Sequence, residues 1–113
     1  MDAAVGRLMK GLDRLGLRKN TLVIFASDNG AARQAPLDFL NCNAGFRGRK
    51  ALLYEGGIRV PFIVNQPEKV PVHNLSNLIY FPDMMPTLAA LTGATAYLPQ
   101  HLNGINILPL FDG

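Results

Sequence analysis

A continuous apolar run from Thr21 to Ala26 is the feature that most constrains the fold of this chain. The run is rich in β-branched residues and ends at the turn-forming sequence Ser27-Asp28-Asn29-Gly30. An apolar run bounded by turn residues predicts a strand that is buried on both faces. Such strands are typical of parallel sheets covered by helices. The run therefore predicts an α/β fold with a mostly parallel sheet flanked by helices.

The segments around this strand also fit an α/β pattern. Apolar residues at helical spacing predict helices over 2–15 and 82–91, the second one capped by Gly93. The run 58–64 predicts a second strand, with Pro61 at its edge or entry because proline lacks a ladder donor. Since two or three strands make a poor parallel sheet, we expect the chain to be one piece of a larger domain.

The other segments give weaker predictions. Residues 31–55 show no clean period, and a loop of this length in a compact domain is usually functional. Leu78 to Tyr80 is predicted as a short strand. Asn106 is predicted to cap a last helical turn.

Composition excludes several classes of protein. The chain has 113 residues, of which 49% are hydrophobic, so it is not a disordered tail. No apolar stretch reaches the roughly 18 residues of a membrane span. The single cysteine, Cys42, excludes an internal disulfide and is interpreted as a buried or incidental thiol. The first residues lack the order of a secretory signal, so we expect either a cytoplasmic protein or a missing beginning.

The positive charge has two interpretations. The formal net charge is +3, and basic residues gather near the start of the chain. Most of them fall on the polar side of the first predicted helix, without interleaved aromatic residues, which favours a solvated helix face over nucleic-acid binding. His73 and His101 are predicted to be surface residues, since both stand in proline-rich surroundings.

Asp28 and Asn29 are candidate cation ligands. They come directly after the predicted strand, and ligands of α/β sheets bind beyond the carboxyl ends of strands. Carboxylate and amide oxygens suit Ca²⁺ or Mg²⁺, although Ca²⁺ takes about six to eight oxygen ligands. A simple turn is the alternative interpretation.

A basic loop follows, formed by Arg47, Arg49 and Lys50 and flanked by Gly45 and Gly48. The glycines allow a ligand to approach the backbone. An arginine can hold a tetrahedral oxyanion with two hydrogen bonds, and a lysine supplies a compact charge. The loop therefore predicts a site for a sulfate or phosphate ester, with an exposed basic loop as the alternative.

Glu55 precedes Gly56 and Gly57. One interpretation is that Glu55 orients the basic loop without touching the substrate, at a tight turn that needs a positive φ. The other is a turn alone.

In combination and in this order, the motifs of the chain resemble the sulfatases of the alkaline-phosphatase-like superfamily. The motifs are 20–30, 46–50, 54–62, 83–88 and 104–110. They span nearly the whole chain, and the resemblance implies that residues 1–113 are a carboxyl-side portion of one sulfatase catalytic domain, an incomplete α/β sandwich.

The resemblance implies roles for particular residues. Asp28 and Asn29 become Ca²⁺ ligands, and Lys50 contacts the sulfate, so that the cation and Lys50 together neutralise charge on the ester. Arg47 is a candidate substrate ligand because of its residue type and its place in the basic loop, and not because of the resemblance. Asp83 is expected to be structural.

The resemblance also implies a formylglycine nucleophile that is not encoded here. Sulfatases make it from Cys or Ser in a Cys/Ser-x-Pro-x-Arg motif, and the sequence from Cys42 to Phe46 does not fit this motif. The family's amino-terminal metal-binding aspartates are also missing. We therefore expect this chain alone to be inactive.

The resemblance implies a sulfuric ester hydrolase acting on a sulfated small molecule or glycan. From the pattern of basic residues and the short apolar stretches we expect no nucleic-acid partner and no membrane span. The resemblance also implies an exported parent enzyme, whether periplasmic, extracellular or lysosomal. The alternatives are a phosphomonoesterase or phosphodiesterase of the same superfamily and a non-catalytic remnant that binds an anion or a partner.

Overall fold

A computed structural model describes residues 1–32 and 42–112. Residues 33–41, in the predicted functional loop, lie outside the described residues. The chain forms two compact units, which we call the strand unit (Leu22–Asn65) and the helical unit (Met1–Thr21 with Gln66–Gly113). The helices and strands are, in chain order, α1 (Asp2–Arg14), β1 (Val23–Ala26), α2 (Glu55–Ile58), β2 (Phe62–Asn65) and α3 (Met84–Thr92). Short 3-10 helices cover Arg18–Asn20, Phe81–Asp83, Thr95–Tyr97 and Leu108–Phe111.

The strand unit contains both predicted strands, but their relative direction differs from the expectation. β1 and β2 pair antiparallel, with Val23 opposite Asn65 and Ala26 opposite Phe62. Ser27 donates its backbone N–H to the Pro61 carbonyl. This hydrogen bond continues the antiparallel register by one residue beyond the two strands. The mostly parallel sheet is therefore not what these two strands form, although antiparallel edge strands do occur in otherwise parallel sheets.

Pro61 stands at the predicted strand entry, whereas β1 is less buried than expected. β2 begins directly after Pro61, which confirms this proline at the strand entry. All four residues of β1 are half-buried, so the expectation of full burial on both faces is wrong, because only one strand pairs with β1 in the described residues.

The helical unit contains the two predicted helices. α1 covers almost the whole predicted range, and none of its residues is buried. α3 ends at Gly93, whose φ of 73° places it in the left-handed region expected for a helix cap. No helix in the described part of the chain has the length and apolar character needed to cross a membrane.

The remaining predictions of local structure had mixed outcomes. Asn106 Oδ1 accepts the Leu108 N–H at 2.9 Å, but the N-cap of the last 3-10 helix is Ile107, so the predicted cap lies one residue too early. The strand predicted at 78–80 is wrong. Tyr80 instead donates its N–H to Asp83 Oδ2, at 3.0 Å, and so introduces the 3-10 helix before α3.

The best-buried side chains of the helical unit are polar. Asp83 and Thr87 are 2% and 0% exposed, respectively. Asp83 Oδ1 accepts the Ile105 N–H at 2.9 Å. Thr87 Oγ1 donates to the Asp83 carbonyl at 2.6 Å and accepts the Ile107 N–H at 3.0 Å. These bonds attach the segment around Ile107 to α3, as expected for a structural Asp83.

Little apolar surface is buried around this polar cluster. Ala89, Ile107 and Phe111 are the buried hydrophobic residues of the described chain. Many large apolar side chains are exposed, and Leu53 and Leu78 are 92% and 100% exposed, respectively. The described residues therefore leave much apolar surface uncovered.

Candidate functional site

Asp28 and Asn29 lie in the turn that follows β1. Ser27 Oγ donates a hydrogen bond to the Asn29 carbonyl at 2.9 Å and closes this turn. The Asp28 residue is exposed, and Asn29 is half-buried. The next residue, Gly30, is buried and donates its N–H to the Gly57 carbonyl at 2.9 Å. The turn thus presents Asp28 to solvent from a backbone that is fixed on one side.

Close backbone contacts at glycines hold this turn against α2. A Cβ on Gly30 would collide with the Gly56 carbonyl, and a Cβ on Gly56 would lie 2.7 Å from the Phe46 carbonyl oxygen. A Cβ on Gly57 would lie 2.5 Å from the Arg49 carbonyl oxygen. Contacts this short with backbone atoms exclude any side chain at these positions.

Gly56 and Gly57 are buried in α2, and neither is among the positive-φ glycines. The interpretation of this segment as a positive-φ turn is therefore wrong. The two glycines are needed for close approach of the backbone to the basic loop.

The basic loop lies beside the turn after β1. Lys50 donates its backbone N–H to the Ala31 carbonyl at 3.1 Å. Arg49 and Lys50 are both exposed. The structure thus joins, by one backbone hydrogen bond, the segment carrying the candidate cation ligands to the segment carrying the candidate sulfate ligand.

The backbone around Lys50 adopts uncommon conformations. Gly48 has a φ of 91° and Ala51 has a φ of 72°. For alanine the left-handed region costs roughly 1–2 kcal/mol. Residues held in this region tend to occur at functional sites, where their surroundings keep them in place.

Arg47 and Glu55 each have a partner within the strand unit. Arg47 Nη2 donates to Tyr54 Oη at 2.9 Å, and the Arg47 guanidinium carbon lies 3.9 Å from the centroid of the same ring. Glu55 Oε2 lies 3.1 Å from Nη1 of Arg59, and the Arg59 guanidinium lies 4.8 Å from the centroid of the Phe46 ring. Glu55 therefore contacts the start of the basic loop through Arg59.

Asn43 is not among the site residues predicted from the sequence. Its Oδ1 accepts the Ala31 N–H at 2.9 Å, and its Nδ2 donates to the Gly48 carbonyl at 2.9 Å. The only signal in the sequence was an amide side chain in a glycine-rich segment. The neighbouring Cys42 is exposed, which excludes the buried alternative for this thiol.

The donor chemistry of Asp28 and Asn29 fits part of a Ca²⁺ site. A carboxylate and an amide oxygen are ligands of the type that Ca²⁺ prefers, but a full set has about six to eight oxygens. Within residues 1–32 and 42–112 no three His, Cys, Asp or Glu side chains group as metal ligands. His73 and His101 are exposed, as predicted, in the helical unit. Asp28 and Asn29 therefore fit a cation as two members of a larger ligand set.

Sequence comparisons identify relatives of the chain. A family model described as Sulfatase matches residues 1–94. The endo-4-O-sulfatase of Bacteroides thetaiotaomicron is 35% identical over 111 residues, which cover 98% of this chain and 20% of that protein. Arylsulfatase A of Homo sapiens is 40% identical over 114 residues, which cover 100% of this chain and 22% of that protein. The chain spans about a fifth of the length of the curated relatives it matches.

Solved structures of similar proteins give the same family. One is the 4S-sulfatase described with the metabolism of glycosaminoglycans by Bacteroides thetaiotaomicron. It is 35% identical, has a TM-score of 0.77, and the match covers 99% of this chain and 21% of that one. Another, described as Ps i-CgsB in complex with k-i-k-neocarrahexaose, is 35% identical with a TM-score of 0.70, and the match covers 97% of this chain and 24% of that one. These likenesses confirm the partial α/β fold, and the chain belongs to the sulfatase family.

Proposed function

We propose that this chain is the cation-holding and sulfate-holding part of a sulfatase that hydrolyses sulfate esters. The hydrogen bond from the Lys50 N–H to the Ala31 carbonyl carries the proposal. It joins the loop of an exposed lysine to the turn that bears Asp28 and Asn29. A positive side chain beside two hard oxygen donors suits an anion that is held against a cation.

Five residues have distinct roles in the proposed site. Asp28 and Asn29 would supply oxygen ligands to Ca²⁺, and the bound cation would contribute positive charge that neutralises the sulfate. Lys50 contributes a compact positive charge at the sulfate oxygens, where charge develops during ester cleavage. Arg47 commits one donor to Tyr54, and its remaining N–H groups can donate to a further sulfate oxygen. Glu55 orients the basic loop through Arg59.

The attacking group of the proposed reaction lies outside this chain. The sequence contains no Cys/Ser-x-Pro-x-Arg motif for a formylglycine. The exposed Leu53 and Leu78 fit a chain whose apolar surface is covered by further parts of a larger domain. We therefore expect the isolated 113 residues to show no turnover of an aryl sulfate.

The relatives suggest the class of substrate. Those at 35–37% identity include an endo-4-O-sulfatase and the steryl-sulfatase of Mus musculus, and one similar structure holds a carbohydrate ligand. We propose a sulfated glycan or a sulfated small molecule as substrate of the parent enzyme, and we propose that the parent is exported.

Calorimetric titration of the chain with Ca²⁺, and then with inorganic sulfate, tests the proposal. We expect Lys50→Ala to weaken sulfate binding by at least about tenfold, or 1.4 kcal/mol. Its Ca²⁺ affinity should stay unchanged, because the lysine is not a cation ligand. Asp28→Ala should weaken Ca²⁺ binding.

Lys10→Ala is the matched control, since it removes another exposed lysine, which lies in α1. Equal sulfate affinity in Lys50→Ala and in Lys10→Ala would contradict the assignment of Lys50. Because Asp28 and Asn29 are two members of a larger ligand set, we expect the chain to bind Ca²⁺ weakly. A wild-type chain that binds no sulfate would contradict the proposal as a whole.

A further inference from the structure

We infer that Asn43 is a positioning residue, which fixes Lys50 relative to the turn carrying Asp28 and Asn29. The inference rests on the proposed function for the tasks of those three residues. It adds a residue that contacts neither the cation nor the sulfate in that proposal. Its basis is the geometry of one side-chain amide.

The Asn43 amide makes one hydrogen bond to each of two segments. Oδ1 accepts the Ala31 N–H, and Nδ2 donates to the Gly48 carbonyl, both at 2.9 Å. Ala31 comes two residues after Asn29, and Gly48 comes two residues before Lys50. The amide therefore connects the turn after β1 to the basic loop.

Few side chains can make both bonds at once. An amide has a donor and an acceptor at fixed positions on one planar group, whereas an ionised carboxylate only accepts and an ammonium only donates. Asn43 is half-buried, so water competes less well for these two bonds than at an exposed site. The two hydrogen bonds therefore explain why a side-chain amide occupies position 43.

The basic loop needs such a bridge because its backbone is unfavourable. Ala51, directly after Lys50, has a positive φ, which is unfavourable for alanine, whereas the positive φ of Gly48 costs glycine little. The conformation of Ala51 persists only when surrounding contacts hold the loop. The bond from Asn43 to the Gly48 carbonyl holds one side of the loop, and the bond from Lys50 to the Ala31 carbonyl holds the other.

Ala31 links the two bonds. Its N–H is held by Asn43, and its carbonyl accepts the Lys50 N–H. Removal of the Asn43 amide therefore frees the Ala31 N–H and weakens the bond from the Lys50 N–H to the carbonyl of the same residue. Because the cation and anion sites would be connected through Ala31, sulfate binding should be stronger in the presence of Ca²⁺, and Asn43→Ala should remove this coupling.

Backbone amide hydrogen exchange of the unliganded chain, measured by NMR, tests the bridge. We expect Asn43→Ala to accelerate exchange about tenfold at Ala31 and also at Lys50. Asn43→Asp keeps an acceptor for Ala31 and loses the donor to Gly48, so it should accelerate exchange at Lys50 and leave Ala31 protected. Asn103→Ala, which removes an exposed amide from the helical unit, should change neither.

Protection of the Arg59 amide, which donates to the Glu55 carbonyl in the strand unit, and of the Ala94 amide, which donates to the Ala89 carbonyl in the helical unit, shows in each variant that both units are folded. Unchanged exchange at Lys50 in a folded Asn43→Ala would overturn the inference. So would a variant in which exchange at Ala31 and Lys50 rises in parallel with that at Arg59, because this outcome indicates unfolding of the whole strand unit.

Titration of the same variants separates the inference from the proposed function. We expect Asn43→Ala to lower sulfate affinity about tenfold and to leave Ca²⁺ affinity within about twofold. Faster exchange at Lys50 with unchanged sulfate affinity would overturn the positioning role. A wild-type chain that binds no sulfate would refute the proposed function, and the exchange at Lys50 would still decide whether Asn43 positions the loop.

Discussion

The strand unit and the helical unit are stabilised in opposite ways. In the strand unit, close backbone contacts at Gly30, Gly56 and Gly57 hold the turn after β1, the basic loop and α2 together. In the helical unit, the buried side chains of Asp83 and Thr87 make the corresponding connections. The strand unit thus depends on residues without a side chain, and the helical unit depends on buried polar side chains.

This difference indicates what each unit can tolerate. Close backbone contacts at the three glycines fix the backbone around exposed residues such as Lys50. The side chains of these residues stay free to contact a ligand. A buried hydrogen-bonded carboxylate uses its polar atoms internally and leaves none for a ligand. The candidate site therefore belongs to the strand unit.

Gly57→Ala is the variant with the largest expected effect. Its Cβ would lie 2.5 Å from the Arg49 carbonyl oxygen, and we expect about 3 kcal/mol of destabilisation. Urea unfolding followed by NMR should show loss of the strand unit before the helical unit. Gly11→Ala is the control, because nothing lies within 4 Å of the added Cβ, and it should stabilise α1 by about 0.5–1 kcal/mol. Equal changes in the free energy of unfolding for the two variants would contradict the importance of the close contacts at Gly57.

Thr87→Val has the next largest expected effect and tests the helical unit. It preserves the shape of the side chain but leaves the buried Ile107 N–H without its acceptor, which costs roughly 1–3 kcal/mol. The control is Thr92→Val on the same helix, because Thr92 is exposed and its hydroxyl only donates to carbonyls of its own helix, such as that of Leu88. We expect a change within about 0.5 kcal/mol for it. Similar midpoints in urea for the two variants would show that the buried bond is dispensable.

Glu55→Gln is expected to have the smallest effect. The pair of Glu55 with Arg59 is more than half exposed on both sides, and exposed pairs contribute about 0.2–1 kcal/mol. The loss should disappear at roughly 1 M salt, where the screening length is only about 3 Å. A loss above this range that persists in high salt would show that Glu55 stabilises the strand unit by more than this charge pair.

The sequence predicts the elements of this fold better than their relations. α1 and α3 follow from apolar periodicity and from Gly93, which are local signals. The antiparallel pairing of β1 with β2 joins residues that are distant in sequence, such as Val23 and Asn65. Periodicity carries no information on such pairs.

The candidate site shows the same division. Asp28, Asn29 and Lys50 could be selected from residue type and order, and their tasks stay predictions. Asn43 could not, because its function depends on two backbone groups that only the folded chain brings near it. The pair of Glu55 with Arg59 has helical spacing, but Gly56 and Gly57 between them argue against a helix, and a packing requirement overrides that propensity.

The small number of buried apolar side chains in residues 1–32 and 42–112 has a thermal consequence. Unfolding raises the heat capacity mainly by exposing apolar surface to water. Since large groups such as Leu53 and Leu78 are already exposed in the fold, unfolding this chain adds less such surface than is usual for its length. Its stability should therefore vary weakly with temperature, with a broad maximum and a gradual melting transition.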